Sequence, residues 1–347
     1  MTALAIQSNR LQNLFWVHWN MGKRCNYDCV YCPDNLHDMT SKHRSLDNLK
    51  EIFHRLNNNV AEWKKIRIWF TGGEPTVNPK FLDFCKWLKE EYPDRVATLG
   101  LNTNGSRTKS YYLELLQYVN KVQYSSHFQY LQDEKFMAIL AASPRKKISL
   151  NLMMEPEYWD RAVKLVEFCE ENNVNFHLKR IRPKSTWDSD NRKYSPYYTK
   201  EQIRWLETKE HTVLVDEETG VAHHKPDIFV YEDYDSGPQQ MWSNDIIKRE
   251  EDNYKGWSCG VGLEGLQIWV DGNITRGVCK VGGVIGHIDD EVWDLPNEFV
   301  ICSKNRCSCA ADMKNTRYKD ETVRNLLKEE VRFKVQELRG DPTANNI

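Results

Sequence analysis

Short apolar runs alternate with amphipathic stretches through the first half of the chain. Six runs have the length and the β-branched or aromatic content of buried strands: Leu14–Trp19, Ile66–Phe70, Val96–Leu101, Lys121–Ser125, Lys147–Met154 and Asn175–Ile181. Between them, apolar residues recur at helical spacing and predict helices over 45–58, from about 79, and over 110–118, 133–141 and 157–172. Strands that alternate with helices predict a parallel sheet with right-handed crossovers. The strand count favours an α/β fold with an open, partial (β/α)6 TIM-like barrel.

The pattern is less regular after residue 182. A polar segment, 183–258, is predicted to connect two regions and could face a substrate, with a helix over Lys200–Lys209 and a β-like stretch at Thr212–Leu214. A hairpin follows, Leu266–Val270 and Ile274–Val278, because Asp271-Gly272-Asn273 is a strong turn signal. The predicted divisions are a barrel over 1–182, the connecting segment, a small hairpin domain over 259–315, and a C-terminal helix (Glu321–Leu338) and tail over 316–347.

Charge and hydropathy exclude some classes of partner. Lys and Arg number 48 against 50 Asp and Glu, which gives a formal net charge of −2, and mean hydropathy is −0.70. A balanced charge provides no long-range attraction to nucleic acid or to an anionic membrane. No apolar run reaches the roughly 18 residues that a membrane span needs, and residues 1–20 lack the layout of a signal peptide. We expect a soluble cytoplasmic protein without nucleic-acid or membrane partners.

Chemistry-bearing residues follow the ends of the predicted strands. A cysteine-rich loop follows the first strand and Gly72-Gly73-Glu74-Pro75 follows the second, while Asn102–Ser106 and Ser125–His127 follow the third and fourth. In parallel sheets the working residues gather at the carboxyl ends of the strands. We therefore expect these segments on one rim of the barrel. His127 is interpreted either as a proton donor or substrate contact, or as a hydrogen-bonded surface residue.

Three of the ten cysteines lie within eight residues. Cys25, Cys29 and Cys32 have the spacing C-x3-C-x2-C, with Tyr31 just before the last. Three soft thiolates on one loop can hold three irons of a cubane cluster and leave the fourth iron open. The alternative is a zinc site or a set of buried thiols. The nearest candidates for a fourth zinc ligand are His18 and His37, and neither has the spacing of a zinc knuckle.

The remaining cysteines divide into two groups. Cys85 and Cys169 stand alone in predicted helices and are expected to be small core residues. The other five are concentrated near the C-terminal hairpin: Cys259, Cys279, Cys302, Cys307 and Cys309. A reducing cytosol argues against disulfides.

These motifs together resemble those of the radical S-adenosylmethionine (SAM) enzymes with an auxiliary iron-sulfur domain of the SPASM or twitch kind. The resemblance implies that Cys25, Cys29 and Cys32 hold a 4Fe-4S cluster whose open iron chelates SAM, and that reduction of SAM yields a 5′-deoxyadenosyl radical. It implies that Gly72, Gly73, Glu74 and Pro75 contact the methionine amine and that Tyr31 contacts the adenine. Polar residues near strand ends are candidates for the ribose and carboxylate of SAM: Asn104, Ser126, Asn151, and Lys179 or Arg180.

The same resemblance implies a second 4Fe-4S cluster, because one cysteine precedes the hairpin and one follows it. Five cysteines are too few for the two clusters of a full SPASM domain, so one auxiliary cluster of the twitch type is expected. Cys259, Cys279, Cys307 and Cys309 are the favoured ligands, with Cys302 as a spare or substitute. A structural zinc site at this place is the alternative.

The implied function is oxidation or epimerisation of a small polar substrate such as a sugar, an aminoglycoside-like molecule or a nucleotide-derived alcohol, with flavodoxin or ferredoxin as electron donor. The alternative is maturation of a ribosomally made peptide. Only 24 residues precede Cys25, too few for the winged-helix recognition module of many peptide maturases, which favours the small molecule. A non-catalytic iron-sulfur or zinc scaffold is the third interpretation.

Overall fold

A computed structural model describes residues 3–8, 13–181, 197–209, 226–232, 237–307, 309–321 and 323. Its strands are β1 (Ala5–Ser8), β2 (Leu14–Asn20), β3 (Lys65–Thr71), β4 (Val96–Thr103), β5 (Lys121–Ser126), β6 (Ile148–Met154), β7 (Phe176–Arg180), β8 (Ile228–Tyr231), β9 (Gln239–Met241), β10 (Ser258–Cys259), β11 (Gly265–Ile268), β12 (Asn273–Thr275), β13 (Val284–His287), β14 (Val300–Ile301) and β15 (Arg317–Tyr318). Its helices are α1 (Leu46–Asn59), α2 (Phe81–Glu91), α3 (Lys109–Tyr118), α4 (Asp133–Ala142), α5 (Trp159–Glu171), α6 (Lys200–Thr208), α7 (Ser243–Lys248) and α8 (Ala310–Met313).

The large sheet has nine strands in the order β13-β12-β11-β2-β3-β4-β5-β6-β7. Strands β2 to β7 are parallel and adjacent in chain order, and helices α1 to α5 connect them. The predicted parallel α/β sheet is therefore confirmed, and its form is consistent with a partial TIM barrel. The hairpin β11–β12 extends this sheet at the β2 edge, since β11 pairs parallel with β2.

Alternating burial explains why these strands form. In β2, Phe15, Val17 and Trp19 are buried against the helices, and the residues between them face the other side of the sheet. Helix α1 covers this layer with Leu49, Ile52, Phe53 and Leu56, which are all fully buried. Each such side chain contributes roughly 1.5–3 kcal/mol by leaving water. Ser45 begins α1, because its side chain accepts a hydrogen bond from the Asn48 amide.

A second sheet was not expected from the sequence. It has six antiparallel strands in the order β14-β10-β15-β1-β8-β9. The segment 183–258, interpreted as a connection, supplies β8 and β9 to this sheet, and β1 lies before the first predicted strand. These strands are two to four residues long, too short for a recognisable alternation of polar and apolar residues.

Several boundaries also differ from the prediction. Helix α5 begins at Trp159, because Pro156–Tyr158 forms a separate 3₁₀ turn. The hairpin strands are shorter than expected, with β12 ending at Thr275. Thr212–Leu214 and most of the predicted helix over Glu321–Leu338 lie outside the described residues. In the part of the chain that the structure describes, no helix has both the length and the apolar character that crossing a membrane requires.

Candidate functional site

The cysteine loop is attached to the Gly72–Pro75 turn by backbone hydrogen bonds. The Met21 amide donates to the Thr71 carbonyl at 2.8 Å, and the Gly73 amide donates to the Gly22 carbonyl at the same distance. The Glu74 amide then donates to the Arg24 carbonyl at 2.9 Å. The segment entering Cys25 is thereby fixed against the end of β3.

Glycine is required at both positions of this turn. Gly72 has φ +119°, and a Cβ on it would lie 2.7 Å from the Gly22 carbonyl oxygen. A Cβ on Gly73 would lie 2.2 Å from the Arg24 carbonyl oxygen. Any side chain at Gly73 would therefore push the cysteine loop away from the turn.

The Glu74 carboxylate is buried and fully hydrogen-bonded. It accepts from the Thr76 amide and hydroxyl at 3.0 and 2.7 Å, from the Thr103 hydroxyl at 2.8 Å and from the Asn104 amide at 2.6 Å. Burial raises the pKa of Glu74, and these hydrogen bonds oppose the rise. The carboxylate joins the end of β3 to the end of β4, and Pro75 begins the 3₁₀ turn that it caps.

The three thiols of the loop are neighbours. Cys29 is buried, Cys25 and Cys32 are half-buried, and the Cys32 amide donates to the Cys29 carbonyl at 2.9 Å. Burial raises the pKa of Cys25 to about 11 and that of Cys29 to about 12, and the nearby charges of Cys32 and Cys25 add to the rise at Cys29. Clustered thiolates in this site need a compensating cation. The donor set and its confinement to one loop fit an iron-sulfur cluster.

Behind the loop, Tyr31 joins a polar network. Its hydroxyl donates to Oε1 of Glu155 at 3.3 Å and lies 2.6 Å from Nδ1 of His127. His127 Nδ1 is also 3.5 Å from Sγ of Cys29, and the Phe128 amide donates to Oε1 of Glu155 at 2.8 Å. Desolvation lowers the pKa of His127 to about 4, so the imidazole is neutral, and burial raises the pKa of Glu155 to about 7. His127 is thus a neighbour of the cluster loop.

The polar candidates at the strand ends differ in what they offer. Asn104 donates from Nδ2 to Oδ1 of Asn26 at 2.9 Å, and the Ser126 hydroxyl accepts from the Met153 amide at 3.0 Å. Asn151 is buried, and its Oδ1 has no hydrogen-bond partner in the described part of the chain. A buried amide oxygen without a donor is costly. Asn151, which lies in the middle of β6 and not at its end, is therefore the candidate best fitted to bind a ligand.

Lys179 and Arg180 lie at the end of β7, opposite Met153 and Met154 of β6. Arg180 donates from Nη2 to the Leu206 carbonyl at 3.3 Å, and desolvation lowers its pKa. Arg180 therefore contacts α6 from the rim. Both residues stay candidates for SAM.

Four of the five C-terminal cysteines line one small cavity: Cys259, Cys279, Cys302 and Cys307. Cys309 does not line this cavity, although it lies near Cys307. Burial raises the pKa of the Cys309 thiol to about 12, and the negative charges of Asp312 and Cys307 add to the rise. The cavity thus includes Cys302, the predicted spare, in place of Cys309. In the described residues, no three or more His, Cys, Asp or Glu side chains are grouped as ligands of a single metal ion.

Arg317 places a positive charge at this cavity. Its side chain is 1% exposed, lines the cavity and hydrogen-bonds Cys307. It donates to the backbone carbonyls of Asp312 and Asn315, and its guanidinium lies 4.6 Å from the centre of the Tyr254 ring. A fully buried guanidinium is stable only beside compensating negative charge. Several thiolates bound to iron would supply that charge.

Asp312 fixes the approach to Cys279. Its carboxylate accepts from the Val278 amide at 3.1 Å and the Cys279 amide at 2.6 Å. No sequence motif marked Asp312, Arg317 or Glu155, because the fold, and not a characteristic spacing, brings them to Cys279, Cys307 and Tyr31. Cys85 and Cys169 are fully buried in the core, as predicted.

Comparisons with known proteins find similarity over parts of the chain. Residues 19–188 match the family model described as the radical SAM superfamily. A GTP 3′,8-cyclase from Nautilia profundicola is 33% identical over 97 residues, which cover 28% of this chain and 29% of that enzyme. One from Campylobacter curvus is 26% identical over 202 residues, 50% of this chain and 61% of that enzyme. The chain thus matches less than two thirds of the length of either relative.

Among solved structures, anSMEcpe with bound AdoMet is similar at 15% identity and a TM-score of 0.49, over 80% of this chain and 78% of that one. The family match covers the cysteine loop, the glycine turn and strands β3 to β7. Residues 19–188 are therefore similar to the radical SAM superfamily.

Proposed function

We propose that this chain is a radical SAM enzyme that removes a hydrogen atom from a small polar substrate and so oxidises or epimerises it. The observation that carries the proposal is the attachment of the cysteine loop to the glycine turn, which holds Cys25, Cys29 and Cys32 at the carboxyl ends of the strands. These three thiolates would hold a 4Fe-4S cluster. With SAM bound, the cluster would supply the one-electron reduction that yields a 5′-deoxyadenosyl radical.

The chain's own residues place and shield the cofactor. Gly72 and Gly73 bring the turn close to the loop, and Glu74 holds the ends of β3 and β4 together. Asn151 offers a buried amide oxygen for a hydrogen-bond donor of SAM. Tyr31 closes the loop against Glu155, which excludes water from its inner side.

The face of the large sheet opposite the helices supports a polar substrate. Along neighbouring strands, Asn102 is in register with Gln123, Ser125 with Asn151, and Asn151 with His177. These positions alternate with core residues that pack on the helices, so they share the opposite face. A sheet face with amides, a hydroxyl and an imidazole suits a substrate with several hydrogen-bonding groups.

We also propose an auxiliary 4Fe-4S cluster in the cysteine cavity, held by Cys259, Cys279, Cys302 and Cys307. The four thiols line one space, and Arg317 provides a buried positive charge for their thiolates. The cluster would accept the second electron of a substrate oxidation. Cys309 is the alternative fourth ligand, because its thiol lies near Cys307.

The test of the proposed activity is SAM cleavage. Anaerobically reconstituted protein with dithionite should convert SAM to 5′-deoxyadenosine, and Cys29→Ala should lower the rate at least a hundredfold. Cys85→Ala is the matched control, since Cys85 lies in the core of α2, and it should keep the activity. Equal rates in Cys29→Ala and wild type would show that the loop does not hold the reactive cluster.

A further inference from the structure

The segment that follows β5 holds the cysteine loop from one side. The Val30 amide donates to Oε1 of Gln129 at 3.2 Å, and the Tyr130 hydroxyl donates to the Asp28 carbonyl at 2.9 Å. The rings of Tyr27 and Tyr130 are stacked, with 4.7 Å between their centres. These contacts are made by residues other than the cysteines, so they fix this side of the loop independently of its thiols.

His127, in the same segment, lies beside the thiols. Its imidazole is stacked on the Tyr31 ring, with 5.9 Å between their centres, and the Tyr27 ring is nearly perpendicular to it at 6.2 Å. Contacts with two rings hold the plane of the imidazole in one orientation. In that orientation Nδ1 lies 2.6 Å from the Tyr31 hydroxyl and 3.5 Å from Sγ of Cys29. A single nitrogen therefore faces both the hydroxyl and the sulfur.

The hydrogen bonds around Nδ1 assign the imidazole proton. The imidazole is neutral and so has one N–H, on Nδ1 or on Nε2. The Tyr31 hydroxyl has one proton for two acceptors, the ionised Glu155 carboxylate and the Cys29 sulfur. A proton on Nδ1 supplies the second donor, whereas a proton on Nε2 would leave a lone pair facing both the hydroxyl and the sulfur. The N–H is therefore on Nδ1.

A donor at this sulfur would affect how readily a bound cluster accepts an electron. Hydrogen bonds to the sulfurs are among the factors that set the reduction potential of an iron-sulfur cluster. An added electron increases the negative charge on the thiolate, and a nearby N–H stabilises the more negative state. Cys25 differs from Cys29, because its sulfur accepts from the backbone amide of Tyr27 at 3.4 Å. Cys29 therefore depends on side-chain donors, which substitutions can remove.

We propose that His127 is a positioning residue, which directs Nδ1–H at the Cys29 thiolate and thereby raises the reduction potential of the cluster held by the loop. The inference rests on the proposed function, which places that cluster on Cys25, Cys29 and Cys32. It gives His127 a role towards a cluster ligand, in place of the interpretations as a proton donor, a substrate contact or a surface residue.

The experiment measures the reduction potential of the loop cluster in the full reconstituted chain. A redox titration is followed by electron paramagnetic resonance, and the loop cluster is recognised by the signal that changes when SAM is added. His127→Leu should lower the equilibrium constant for reduction at least tenfold, which is about 59 mV for a one-electron couple. His127→Asn should keep most of the wild-type potential, because its amide can place an N–H near the position of Nδ1. His54→Leu is the control: His54 is exposed on α1, and its Nδ1 also lies within hydrogen-bonding distance of a tyrosine hydroxyl, that of Tyr92.

Iron content is measured on each protein and should equal that of wild type. Loss of iron in His127→Leu would make His127 a structural part of the loop and overturn the proposal. Equal potentials in wild type and His127→Leu, or equally lowered potentials in His127→Leu and His127→Asn, would also overturn it. A wild type without a signal that responds to SAM would count against the proposed function as well, whereas unchanged potentials beside such a signal would count against the role of His127 alone.

Discussion

Tyr31 belongs to the cysteine motif and also contacts two residues that are distant in the chain. The resemblance assigned it to the adenine of SAM, and in the structure its hydroxyl lies between Glu155 and His127. Glu155 follows the end of β6, and His127 follows the end of β5. Three parts of the rim, those that follow β2, β5 and β6, therefore meet behind Cys29, and the state of Glu155 affects how firmly the loop is held.

Protonation of Glu155 gives a pH dependence of stability. Burial raises its pKa to about 7 from an ordinary value of 4.5. As pH rises from 4.5, the unfolded chain releases this proton before the folded chain does, so the free energy of unfolding falls up to about pH 7 and then levels. Glu155→Gln should remove this fall. The free energy of unfolding is measured by urea titration of the reconstituted protein between pH 4.5 and about pH 7. Glu157→Gln, at an exposed position, is the control. The same pH dependence in wild type and Glu155→Gln would contradict the prediction.

Arg317 should decide whether iron enters the cysteine cavity. Arg317→Met leaves the thiolates without their buried cation, and we expect bound iron to fall from about eight atoms per chain to about four. Arg317→Lys keeps the charge and should keep most of the iron. Lys314→Met is the control, because Lys314 pairs with Asp227 at 2.9 Å. Full iron content in Arg317→Met, measured beside its circular dichroism spectrum, would show that the guanidinium is dispensable.

At the scale of elements, the longer strands could be predicted from the sequence and the shortest ones could not. Strands β2 to β7 have five to eight residues, and their buried positions alternate or form apolar runs, so each could be located locally. The cysteine loop and glycine turn were recognisable by spacing. Strands β1, β10, β14 and β15 have two to four residues and owe their form to distant partners. Glu155 was missed for the same reason, because its partner Tyr31 is 124 residues away in the chain.

The contact between loop and turn can be tested at Gly73. Gly73→Ala places a Cβ against the Arg24 carbonyl, and we expect a loss of roughly 1–3 kcal/mol of unfolding free energy together with at least tenfold slower SAM cleavage. Gly256→Ala is the control: its Cβ meets nothing within 4 Å, so it carries only the cost of φ +88°, about 1 kcal/mol. A variant at Gly73 with normal cleavage would mean that the turn does not position the loop.

At the scale of the molecule, β1 joins segments that lie far apart in the chain. It pairs with β15 on one side and β8 on the other, and Ile6 is fully buried with Ile228, Val230 and Met313. Strand β15 carries Arg317, and β10 carries Cys259. The cysteine cavity therefore depends on a strand that lies before the barrel in sequence.

Deleting residues 1–8 should abolish the proposed metal centre in the cysteine cavity and leave the one in the cysteine loop intact. The barrel strands β2 to β7 stay intact, so SAM cleavage and about four irons should remain, while the iron of the cysteine cavity is lost because β15 has no partner on the β1 side. Ile6→Val, which keeps the strand, is the control. Iron content and 5′-deoxyadenosine are measured on both proteins. Retention of about eight irons in the deleted chain would contradict this dependence.

The pairing of Ala5 with Tyr318 also sets an order of assembly during synthesis. The ribosome makes β1 long before β15, whereas each strand from β3 to β7 pairs with the strand made just before it. Local units fold as they emerge, and distant pairings form late. The barrel can therefore reach its native form, and receive its cluster, while the cysteine-rich region is still being translated.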